Sequence, residues 1–323
     1  MIIVTGGAGF IGSAMIWKLN QMGRKDVIVV DDLGESEKWR NLVSLRYEEY
    51  LNKQVFLELV VTDQLPWDIE GVIHMGACSS TVEKDCDYLM ENNYHFSRIL
   101  CEWALEKEHR FINASSAATY GNGKNGFSDD PDRIEGLKPL NMYAYSKQLF
   151  DLWARSEGCL DSIVSLKFFN VFGPNEYHKG QMRSMVCKAF HQIKNKSKVS
   201  LFKSYRPDYA DGEQERDFIY VKDCVEVLWW LYENRQANGL FNLGSGESRT
   251  WNDLAGAVFR AMGKETVIEY VEMPEEIRGS YQYSTRAETA RLAETGCPMD
   301  FMSLEEAVDD YVRGYLTAED PYL

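Results

Sequence analysis

Apolar and polar positions alternate along the first half of the chain in a pattern typical of strands and helices that follow one another. Five continuous apolar runs predict strands buried on both faces: residues 2–4, 27–30, 71–74, 111–114 and 163–169. Three stretches with helical spacing predict helices: residues 10–22, 87–107 and 145–157. Buried strands that alternate with helices favour an α/β fold in which a parallel sheet is covered on both faces.

The pattern changes after residue 169. Residues 170–216 are polar and rich in lysine and tyrosine. Residues 218–221 and 240–243 have the composition of short strands that return to the sheet, and helical spacing recurs at residues 252–262 and 303–315. We therefore predict two parts: a larger domain of residues 1–169 plus about 217–243, and a smaller mixed α/β lobe of about 170–216 plus 244–323.

The composition narrows the possible partners. The chain has 323 residues, 45% of them hydrophobic, which is enough to bury a sizeable core. A net charge of −15 and a pI of about 4.9 disfavour binding to nucleic acid or to an anionic membrane, so neither partner is predicted. No apolar run reaches the roughly 18 residues of a membrane span, and no signal-peptide pattern opens the chain.

The spacing of cysteines and histidines indicates neither a disulfide framework nor a metal. Seven cysteines lie at irregular intervals without a Cys-x-x-Cys pair, which favours free thiols in a reducing compartment, and we expect a cytoplasmic protein. The five histidines have no metal-ligand spacing among themselves or with the cysteines, so no metal site is predicted.

A glycine-rich motif follows the first predicted strand and opens the first predicted helix. Gly6, Gly9 and Gly12 have Gly-x-x-Gly-x-x-Gly spacing, which permits a tight turn and lets backbone N–H groups approach a pyrophosphate. Asp31 ends the second strand, 19 residues after Gly12, where a carboxylate can bind the adenosine ribose hydroxyls. Strand, glycines, helix and acid together predict a Rossmann-type doubly wound sheet in a domain that binds NAD or NADP.

Two carboxylates at the end of the second strand affect the choice between NAD and NADP. The 2′-phosphate of NADP would lie near Asp31 and Asp32. Lys38 and Lys53 follow and could neutralise that phosphate, although by sequence alone each lysine is more typical of a solvated surface charge.

A Tyr-x-x-x-Lys pair occurs at residues 143–147. Its i, i+4 spacing places Tyr143 and Lys147 on one helix face, and a nearby ammonium lowers the pKa of a phenol, which is otherwise about 10. This chemistry removes a proton from an alcohol while its hydride leaves for a nicotinamide. Ser116, after a predicted strand, is placed to hydrogen-bond the reacting oxygen, whereas Tyr145 is out of register and is assigned to packing or substrate lining.

Further segments carry a resemblance to a known family over essentially the full chain: residues 76–81, 92–94, 114–121, 138–143, 169–174, 178–180, 216–221 and 241–244. On these segments the sequence resembles the extended short-chain dehydrogenase/reductases, and within them it is most similar to the ADP-L-glycero-D-manno-heptose 6-epimerases. Residues 78–81 (Cys-Ser-Ser-Thr) and 178–180 (His-Lys-Gly) are the segments least expected in other epimerases.

The resemblance implies an isomerase that inverts C6 of ADP-D-glycero-D-manno-heptose by transient hydride transfer to and from NADP. Two acid/base groups are then needed, and the resemblance assigns them to Tyr143 and Lys179, with Ser116 assisting and Lys147 setting the phenol pKa and holding the nicotinamide ribose. A lysine serves as a base only where burial or a neighbouring positive charge lowers its pKa. By sequence alone, Lys179 is better explained as a phosphate or surface contact.

The resemblance also implies binding residues. Cofactor contacts are implied at Gly6, Gly9, Phe10, Ile11, Gly12, Asp31, Asp32, Lys38, Lys53, Met75, Gly76, Ala77, Cys78, Ser79, Asn92, Tyr143, Lys147, Val171 and Lys179. Contacts with the ADP-sugar substrate are implied at Ser116, Asn170, Gln181, Lys188, Phe202, Lys203, Ser204, Tyr205, Arg216 and Tyr281. The bidentate fork of Arg216 suits the diphosphate. A homo-oligomer, expected to be a pentamer, and a product used in the lipopolysaccharide inner core are implied as well.

Four features depart from the pattern of that family. Gln181 replaces a usual serine, Lys188 a frequent histidine and Asp32 a common asparagine, and residues 208–214 form an insertion close to the predicted substrate arginine. The departure at Asp32 leaves NAD possible, and the others leave the exact sugar open.

Other functions therefore remain possible on the sequence. A nucleotide-sugar 4-epimerase that uses NAD would share the motifs but would not need Lys179. A 4,6-dehydratase is disfavoured because Ala117 and Ala118 follow Ser116, where dehydratases usually carry Asp-Glu. An inactive NAD(P)-binding regulator would retain the glycines and lose the acid/base pair, which this chain keeps.

Overall fold

The computed structural model describes residues 1–279 and 281–323, and its elements confirm the predicted α/β class. Within these residues the strands are β1 (Ile2–Thr5), β2 (Val27–Asp31), β3 (Glu49–Asn52), β4 (Gly71–His74), β5 (Arg110–Ser116), β6 (Val164–Phe168), β7 (Asn170–Phe172), β8 (Val199–Phe202), β9 (Glu215–Tyr220), β10 (Gly239–Leu243), β11 (Ser248–Thr250) and β12 (Ile268–Val271). The α-helices are α1 (Phe10–Gln21), α2 (Lys53–Val61), α3 (Cys86–Leu89), α4 (Phe96–Glu106), α5 (Met142–Ser156), α6 (Met185–Lys196), α7 (Val221–Glu233), α8 (Trp251–Ala261), α9 (Glu275–Arg278), α10 (Ala290–Glu294) and α11 (Leu304–Tyr311). Short 3₁₀-helices occur at Glu37–Leu42, Ala117–Tyr120, Pro131–Gly136, Cys159–Asp161 and Tyr177–Met182, and π-helices at Met90–His95 and Val312–Leu316.

Seven strands form one sheet in the order β10-β6-β5-β4-β1-β2-β3, and every neighbouring pair is parallel. β1 lies inside this sheet, with β2 on one side and β4 on the other. The chain therefore winds outward from β1 in both directions, so the strand order reverses between β1 and β4. A crevice forms at such a reversal, outside the carboxyl ends of the strands. This is the Rossmann-type doubly wound sheet that the sequence predicts.

Alternate side chains of the strands enter two apolar layers, one on each face of the sheet. Ile2 and Val4 pack in the layer that contains Met15 of α1, whereas Ile3 packs in the layer that contains Leu100 of α4. Every residue of β1 and β4 is buried. Successive residues of a strand point to opposite faces of the sheet. Because both faces are buried, every position of these strands favours an apolar residue, which explains the continuous apolar runs of the sequence.

Two predicted helices differ from the structure near the crevice. The stretch predicted as one helix at residues 87–107 is α3, the π-helix Met90–His95 and α4 in succession. α5 begins at Met142 rather than at residue 145, because the side chain of Asn141 accepts a hydrogen bond from the Ala144 backbone N–H at 2.8 Å. This cap places Tyr143 within the first turn of the helix that carries Lys147.

Two smaller sheets lie outside the main one. β9 pairs in parallel with β7 and antiparallel with β11, and β8 pairs in parallel with β12. The prediction that residues 218–221 return to the main sheet is therefore wrong, whereas residues 240–243 do return as part of β10. An apolar run has the same composition in either sheet, so the sequence does not reveal the pairing partner. The predicted boundary between the two parts of the chain stays a prediction.

Candidate active site

One cavity lies at the carboxyl ends of β1, β2, β4 and β5 and encloses about 490 Å³. Its lining includes every predicted cofactor-binding residue except Val171: Gly6, Gly9, Phe10, Ile11, Gly12, Asp31, Asp32, Lys38, Lys53, Met75, Gly76, Ala77, Cys78, Ser79, Asn92, Tyr143, Lys147 and Lys179. The structure thus brings the glycine motif, the Tyr143 helix and the segment of Lys179 to one place.

The glycine loop (residues 5–12) forms the floor of this cavity. Gly6 has φ +63°, and a Cβ on it would lie 2.7 Å from the backbone of Gly76. A Cβ on Gly12 would lie 2.1 Å from the carbonyl oxygen of Gly6. α1 follows with Gly9 as its N-cap and no side chain capping it, so its first-turn amides are available to an anion. These features fit the pyrophosphate of a dinucleotide.

The carboxylates after β2 are already engaged with the loop and with lysines. Asp31 accepts hydrogen bonds from the Ala8 N–H at 2.9 Å and from Lys38 Nζ at 2.6 Å. Lys53 donates to Asn92 Oδ1 at 2.9 Å and lies 3.7 Å from the Asp32 carboxylate. Asp31 therefore fixes the glycine loop, and each lysine partly neutralises one carboxylate at the position where an adenosine ribose would lie.

A buried hydrogen-bond chain joins the glycine loop to the next segment of the cavity. Thr5 Oγ1 accepts from the Gly76 N–H at 3.1 Å and lies 2.6 Å from His74 Nδ1. His74 Nε2 lies 2.8 Å from Ser97 Oγ, whose own proton goes to the Asn93 carbonyl. Nε2 therefore carries the histidine proton, and Thr5 donates to Nδ1. Burial lowers the pKa of His74 to about 3, so it is neutral and structural.

Tyr143 and Ser116 interact directly, while Lys147 has a different partner. Lys147 was expected to lower the pKa of Tyr143. Instead, burial raises this pKa, and the hydrogen bond with Ser116 is the interaction that opposes the rise. The Lys147 ammonium donates to the Ala114 carbonyl at 2.7 Å, and burial lowers its own pKa from 10.5 to about 8. Ser116 contacts Tyr143 but is outside the cavity lining itself.

Lys179 lies on the 3₁₀-helix Tyr177–Met182, which follows β7, and its side chain lines the cavity. Its ammonium lies 5.3 Å from the centre of the Phe10 ring. Burial lowers the pKa of Lys179, whereas the carboxylate of Glu176 raises it. The neighbouring His178 also lines the cavity, and burial lowers its pKa to about 4. Lys179 is thus a half-buried residue that lines the same cavity as Tyr143, so it is not a fully exposed surface charge.

Some predicted substrate residues form a second cluster, here called the arginine cluster (Arg216, Trp251, Tyr281 and Phe202). The guanidinium of Arg216 lies 5.4 Å from the ring centre of Trp251 and 5.1 Å from that of Tyr281. Trp251 Nε1 donates to the Tyr281 hydroxyl at 3.0 Å, and the rings of Phe202 and Tyr281 are perpendicular. Arg216 is buried and donates to the Glu215 carbonyl at 2.7 Å, so its charge is held by aromatic faces.

The remaining predicted substrate residues have other surroundings. Lys203 and Tyr205 both bond to Glu272, with Lys203 Nζ 2.6 Å from the carboxylate. The Ser204 N–H donates to Asp211 at 2.7 Å, which ties residues 208–214 to the end of β8. Gln181 and Asn170 are exposed, and Lys188 is a half-buried residue of α6.

Other residues of both sites had no clear signal in the sequence. Trp251 starts α8, and a tryptophan at a helix start has no distinctive pattern. Cavity-lining residues outside the predicted set include Tyr88, Phe96, His178 and Met182. Tyr88 is within one helical turn of Asn92, and its ring centre lies 5.7 Å from Lys53 Nζ, so a search of one turn around each predicted residue would have found it.

Two further observations concern the described residues only. Among residues 1–279 and 281–323, no group of three or more His, Cys, Asp or Glu side chains is arranged to hold a metal ion. No helix in the same part of the chain is long and apolar enough to cross a membrane.

The fold and the cavity define a nucleotide-binding enzyme of the Rossmann type, and comparison with known proteins gives its class. Residues 2–244 match the model of the NAD dependent epimerase/dehydratase family. The chain belongs to this family, which uses a nicotinamide cofactor.

Individual relatives define the group within the family. The chain is 62% identical to the ADP-L-glycero-D-manno-heptose-6-epimerase of Nitratidesulfovibrio vulgaris over 323 residues, and it is 47% identical to that of Fusobacterium nucleatum subsp. nucleatum over 332 aligned positions, with all of each chain covered. The ADP-L-glycero-D-manno-heptose 6-epimerases are therefore the group to which it belongs, as the sequence resemblance predicted.

A solved structure supports the fold independently. The Helicobacter pylori ADP-L-glycero-D-manno-heptose-6-epimerase superposes with a TM-score of 0.80 at 24% identity, covering 97% of this chain and 95% of the other. At this identity the likeness concerns the fold, and it extends over both the main sheet and the smaller sheets.

Proposed function

We propose that this protein epimerises ADP-D-glycero-D-manno-heptose at C6, giving ADP-L-glycero-D-manno-heptose, with NADP as cofactor. The observation that carries the proposal is that Tyr143 and Lys179 line the same cavity as the glycine loop. Inversion at C6 passes through a planar ketone. The C6 hydroxyl must lose its proton in one configuration and regain a proton in the other, and two separate acid/base groups can serve the two configurations. A bound nicotinamide supplies reversible hydride acceptance.

Tyr143 is proposed as one acid/base group. Its hydroxyl is hydrogen-bonded to Ser116, and such a bond stabilises the phenolate that takes a proton from the C6 hydroxyl. Burial keeps the neutral phenol as the resting form, which suits the reverse role of proton donor. Lys147, one turn along α5, is proposed to hold the nicotinamide ribose with its buried ammonium.

Lys179 is proposed as the second group. An ordinary lysine stays protonated near neutrality and cannot act as a base, but burial lowers the pKa of Lys179. Its ammonium is held over the Phe10 ring at the start of α1, next to the position proposed for the pyrophosphate. The lowered pKa supports a base over a simple surface charge, and the contact with Phe10 fixes the amine within the cavity.

The preference for NADP over NAD is supported by Lys38 and Lys53. The cavity contains two carboxylates, Asp31 and Asp32, that would repel a 2′-phosphate. Lys38 pairs with Asp31 at 2.6 Å and Lys53 approaches Asp32 at 3.7 Å. The two lysines thus balance the charge of the two carboxylates, and the 2′-phosphate of NADP can accept hydrogen bonds from both ammonium groups. NAD remains the alternative, because the same carboxylates suit free ribose hydroxyls.

The arginine cluster is proposed to bind the diphosphate of the substrate. Arg216 is buried against Trp251 and Tyr281, so its planar donors are oriented before a ligand arrives. A bidentate arginine is the residue best matched to a diphosphate oxygen pair.

The test is to incubate the purified protein with ADP-D-glycero-β-D-manno-heptose and follow the C6 configuration by proton NMR. We expect conversion by the wild type and a loss of about 10²- to 10⁴-fold in both Tyr143→Phe and Lys179→Met. Tyr145→Phe and Lys194→Met are matched controls, since Tyr145 is an exposed neighbour on α5 and Lys194 is an exposed residue of α6.

Each outcome has a consequence for the proposal. Full activity in Lys179→Met would remove this lysine from the mechanism. No conversion by folded, cofactor-loaded wild type would contradict the heptose substrate, and a panel of UDP-, GDP- and dTDP-sugars would follow. Binding of NADP and NAD to the wild type and to Lys38→Met decides the cofactor, with a larger loss expected for NADP.

Two expectations from the sequence stay predictions. The homo-oligomer, expected to be a pentamer, would be measured by light scattering of the purified protein. The cytoplasmic location and a role in lipopolysaccharide core synthesis are supported by the family relationship, and fractionation of the source cell tests the location.

A further inference from the structure

Glu176 is a buried carboxylate three residues before Lys179, and no step proposed above uses it. Only 1% of Glu176 is exposed. Its carboxylate accepts hydrogen bonds from the backbone N–H of Ser184, from the Ser184 hydroxyl at 2.6 Å and from the Tyr311 hydroxyl at 3.1 Å. Ser184 is the N-cap of α6, and Tyr311 ends α11. Glu176 thus fastens the Lys179 segment to two helices.

The partners of Glu176 favour its ionised form. Burial raises its pKa, but the Ser184 and Tyr311 groups donate to the carboxylate and oppose that rise. The Ser184 hydroxyl accepts from the Cys187 N–H at 3.2 Å, so its own proton is left for Glu176. The Lys179 backbone N–H donates to the Glu176 carbonyl at 3.0 Å, so both residues belong to one turn of the chain, and anchoring Glu176 also anchors Lys179.

The same segment is also attached to the glycine loop. Asn41 Nδ2 donates to the carbonyl of Ala8 at 2.9 Å and to that of Asn175 at 3.0 Å. Asn175 has φ +73° and donates through Nδ2 to Ser13 of α1 at 2.9 Å. These bonds hold the residue before Glu176 in a left-handed conformation that a non-glycine side chain rarely adopts. These bonds therefore fix the position of the Lys179 segment relative to the glycine loop and α1.

The groups around the pair come from their own segment and from α1, α6 and α11. Lys179 is faced by Glu176 and His178 on its own segment and by the Phe10 ring of α1. Glu176 is faced by groups of its own segment, of α6 and of α11: Tyr177, Lys179, Cys187, Lys188 and Tyr311. Glu176 is the carboxylate among these groups, so it is the negative charge that acts on Lys179.

We propose that Glu176 is a positioning residue for Lys179: its carboxylate, fixed by Ser184 and Tyr311, anchors the turn that carries Lys179 at the cavity and places a carboxyl group near the Lys179 amine. This inference rests on the proposed role of Lys179 as the second acid/base group. It adds the reason why a half-buried lysine can both accept and return a proton: burial favours the neutral amine, and the adjacent anion limits that preference.

The first test measures Lys179 without any substrate. Lysine labelled with ¹³C at Cε is titrated by NMR in the full-length protein, and the Lys179 signal is assigned by its disappearance in Lys179→Met. We expect the Lys179 midpoint to move to lower pH in Glu176→Gln and to move less in Glu176→Asp, which keeps the charge. Asp129→Asn is the matched control, because Asp129 is also a 1% exposed carboxylate but bonds to the Asn242 N–H.

The second test measures turnover of the same variants. We expect kcat of Glu176→Gln to fall about tenfold with KM within about twofold, because a displaced acid/base group affects chemistry more than binding. Glu176→Asp should recover part of kcat, and the acid/base limb assigned to Lys179 in the pH profile should move to lower pH in Glu176→Gln and move less in Glu176→Asp.

The outcomes separate this inference from the proposed function. An unmoved Lys179 midpoint in Glu176→Gln overturns the inference, even if the wild type epimerises the heptose. A wild type that does not epimerise the heptose contradicts the proposed function and, with it, the catalytic part of the inference, while the titration still reports whether Glu176 controls Lys179. If Glu176→Gln fails to fold, Tyr311→Phe removes one donor and keeps the carboxylate, and an unchanged kcat there overturns the inference.

Discussion

The glycine loop and the arginine cluster, which are proposed to bind the two phosphate-bearing ligands, are built in opposite ways. The loop uses backbone: its glycines leave no room for a Cβ, and α1 presents unpaired amides. The arginine cluster uses side chains: one guanidinium is oriented by two aromatic rings. Backbone recognition tolerates almost no added atom, whereas side-chain recognition tolerates changes of shape and loses affinity in steps.

The difference also affects what each region can distinguish. Backbone amides accept any pyrophosphate of the right shape, so the loop identifies a dinucleotide and little more. The arginine cluster depends on four residues from separate elements together with residues 208–214, which Asp211 ties to Ser204. We therefore expect cofactor binding to be insensitive to changes in the cluster, and substrate binding to be insensitive to changes in the loop.

The largest expected effect is at Gly12. Its added Cβ in Gly12→Ala would lie 2.1 Å from the Gly6 carbonyl oxygen, so the loop must move. We expect NADP affinity, measured by calorimetry, to fall about 100-fold, which corresponds to the upper range for overpacking. Gly136→Ala is the control, because nothing lies within 4 Å of its Cβ position. Unchanged affinity in Gly12→Ala would show that the loop is less rigid than its contacts indicate.

The next effect is at Arg216. Lysine keeps the charge but loses the planar fork, so Arg216→Lys should raise KM for the ADP-sugar about 30-fold and leave NADP affinity unchanged. Arg249→Lys is the matched control, since Arg249 is the cross-strand partner of Arg216 and its guanidinium bonds to Glu305 at 2.6 Å. A parallel loss of NADP affinity would contradict the separation of the two regions.

A pH dependence follows from Lys147 on the cofactor side. Burial lowers its pKa from 10.5 to about 8, so the ammonium is lost as the pH rises through about 8. If the ammonium holds the nicotinamide ribose, NADP affinity should be full below this pH and fall about tenfold above it. Lys147→Met should bind weakly and with no such step. Titration of KM for the sugar over the same range should show no matching change.

The smallest effect is at Trp251. Phenylalanine keeps an aromatic face for Arg216 but removes the indole donor to the Tyr281 hydroxyl. One neutral hydrogen bond contributes about 1 kcal/mol, so Trp251→Phe should raise KM about fivefold. Trp230→Phe on α7 provides the control. A rise as large as that of Arg216→Lys would mean that the ring position, rather than the guanidinium fork, controls substrate affinity.

The same contrast explains which parts of the molecule the sequence could predict. The strands at residues 2–4, 27–30 and 71–74 were predicted because burial on both faces leaves an uninterrupted apolar run. The glycine loop was predicted because its geometry depends on local spacing. β9 was assigned to the wrong sheet, because strand pairing depends on partners far away in the chain.

The electrostatics of the site were predicted less well than its position. The Tyr143–Lys147 spacing indicated a phenol with a lowered pKa, yet burial raises it, because desolvation depends on atoms from distant elements. Trp251 and Glu176 had no local signal, since each gains its role only when α8, α6 and α11 assemble around it. Local spacing carries no such long-range information, so Lys179 and Arg216 were predicted from the resemblance alone, and their roles stay predictions.

The π-helix Met90–His95 has a consequence for how this part of the molecule tolerates change. A π-turn contains one residue more than the α-turn it replaces, and each helical residue turns the chain by about 100°. Asn93 lies in this turn and bonds to the amide and carbonyl of Cys78 and to Ser146 of α5. Loss of a single residue here would preserve a continuous helix but change the rotational phase between α3 and α4. Its length, more than its composition, is what keeps Asn92 and Asn93 facing the cavity wall.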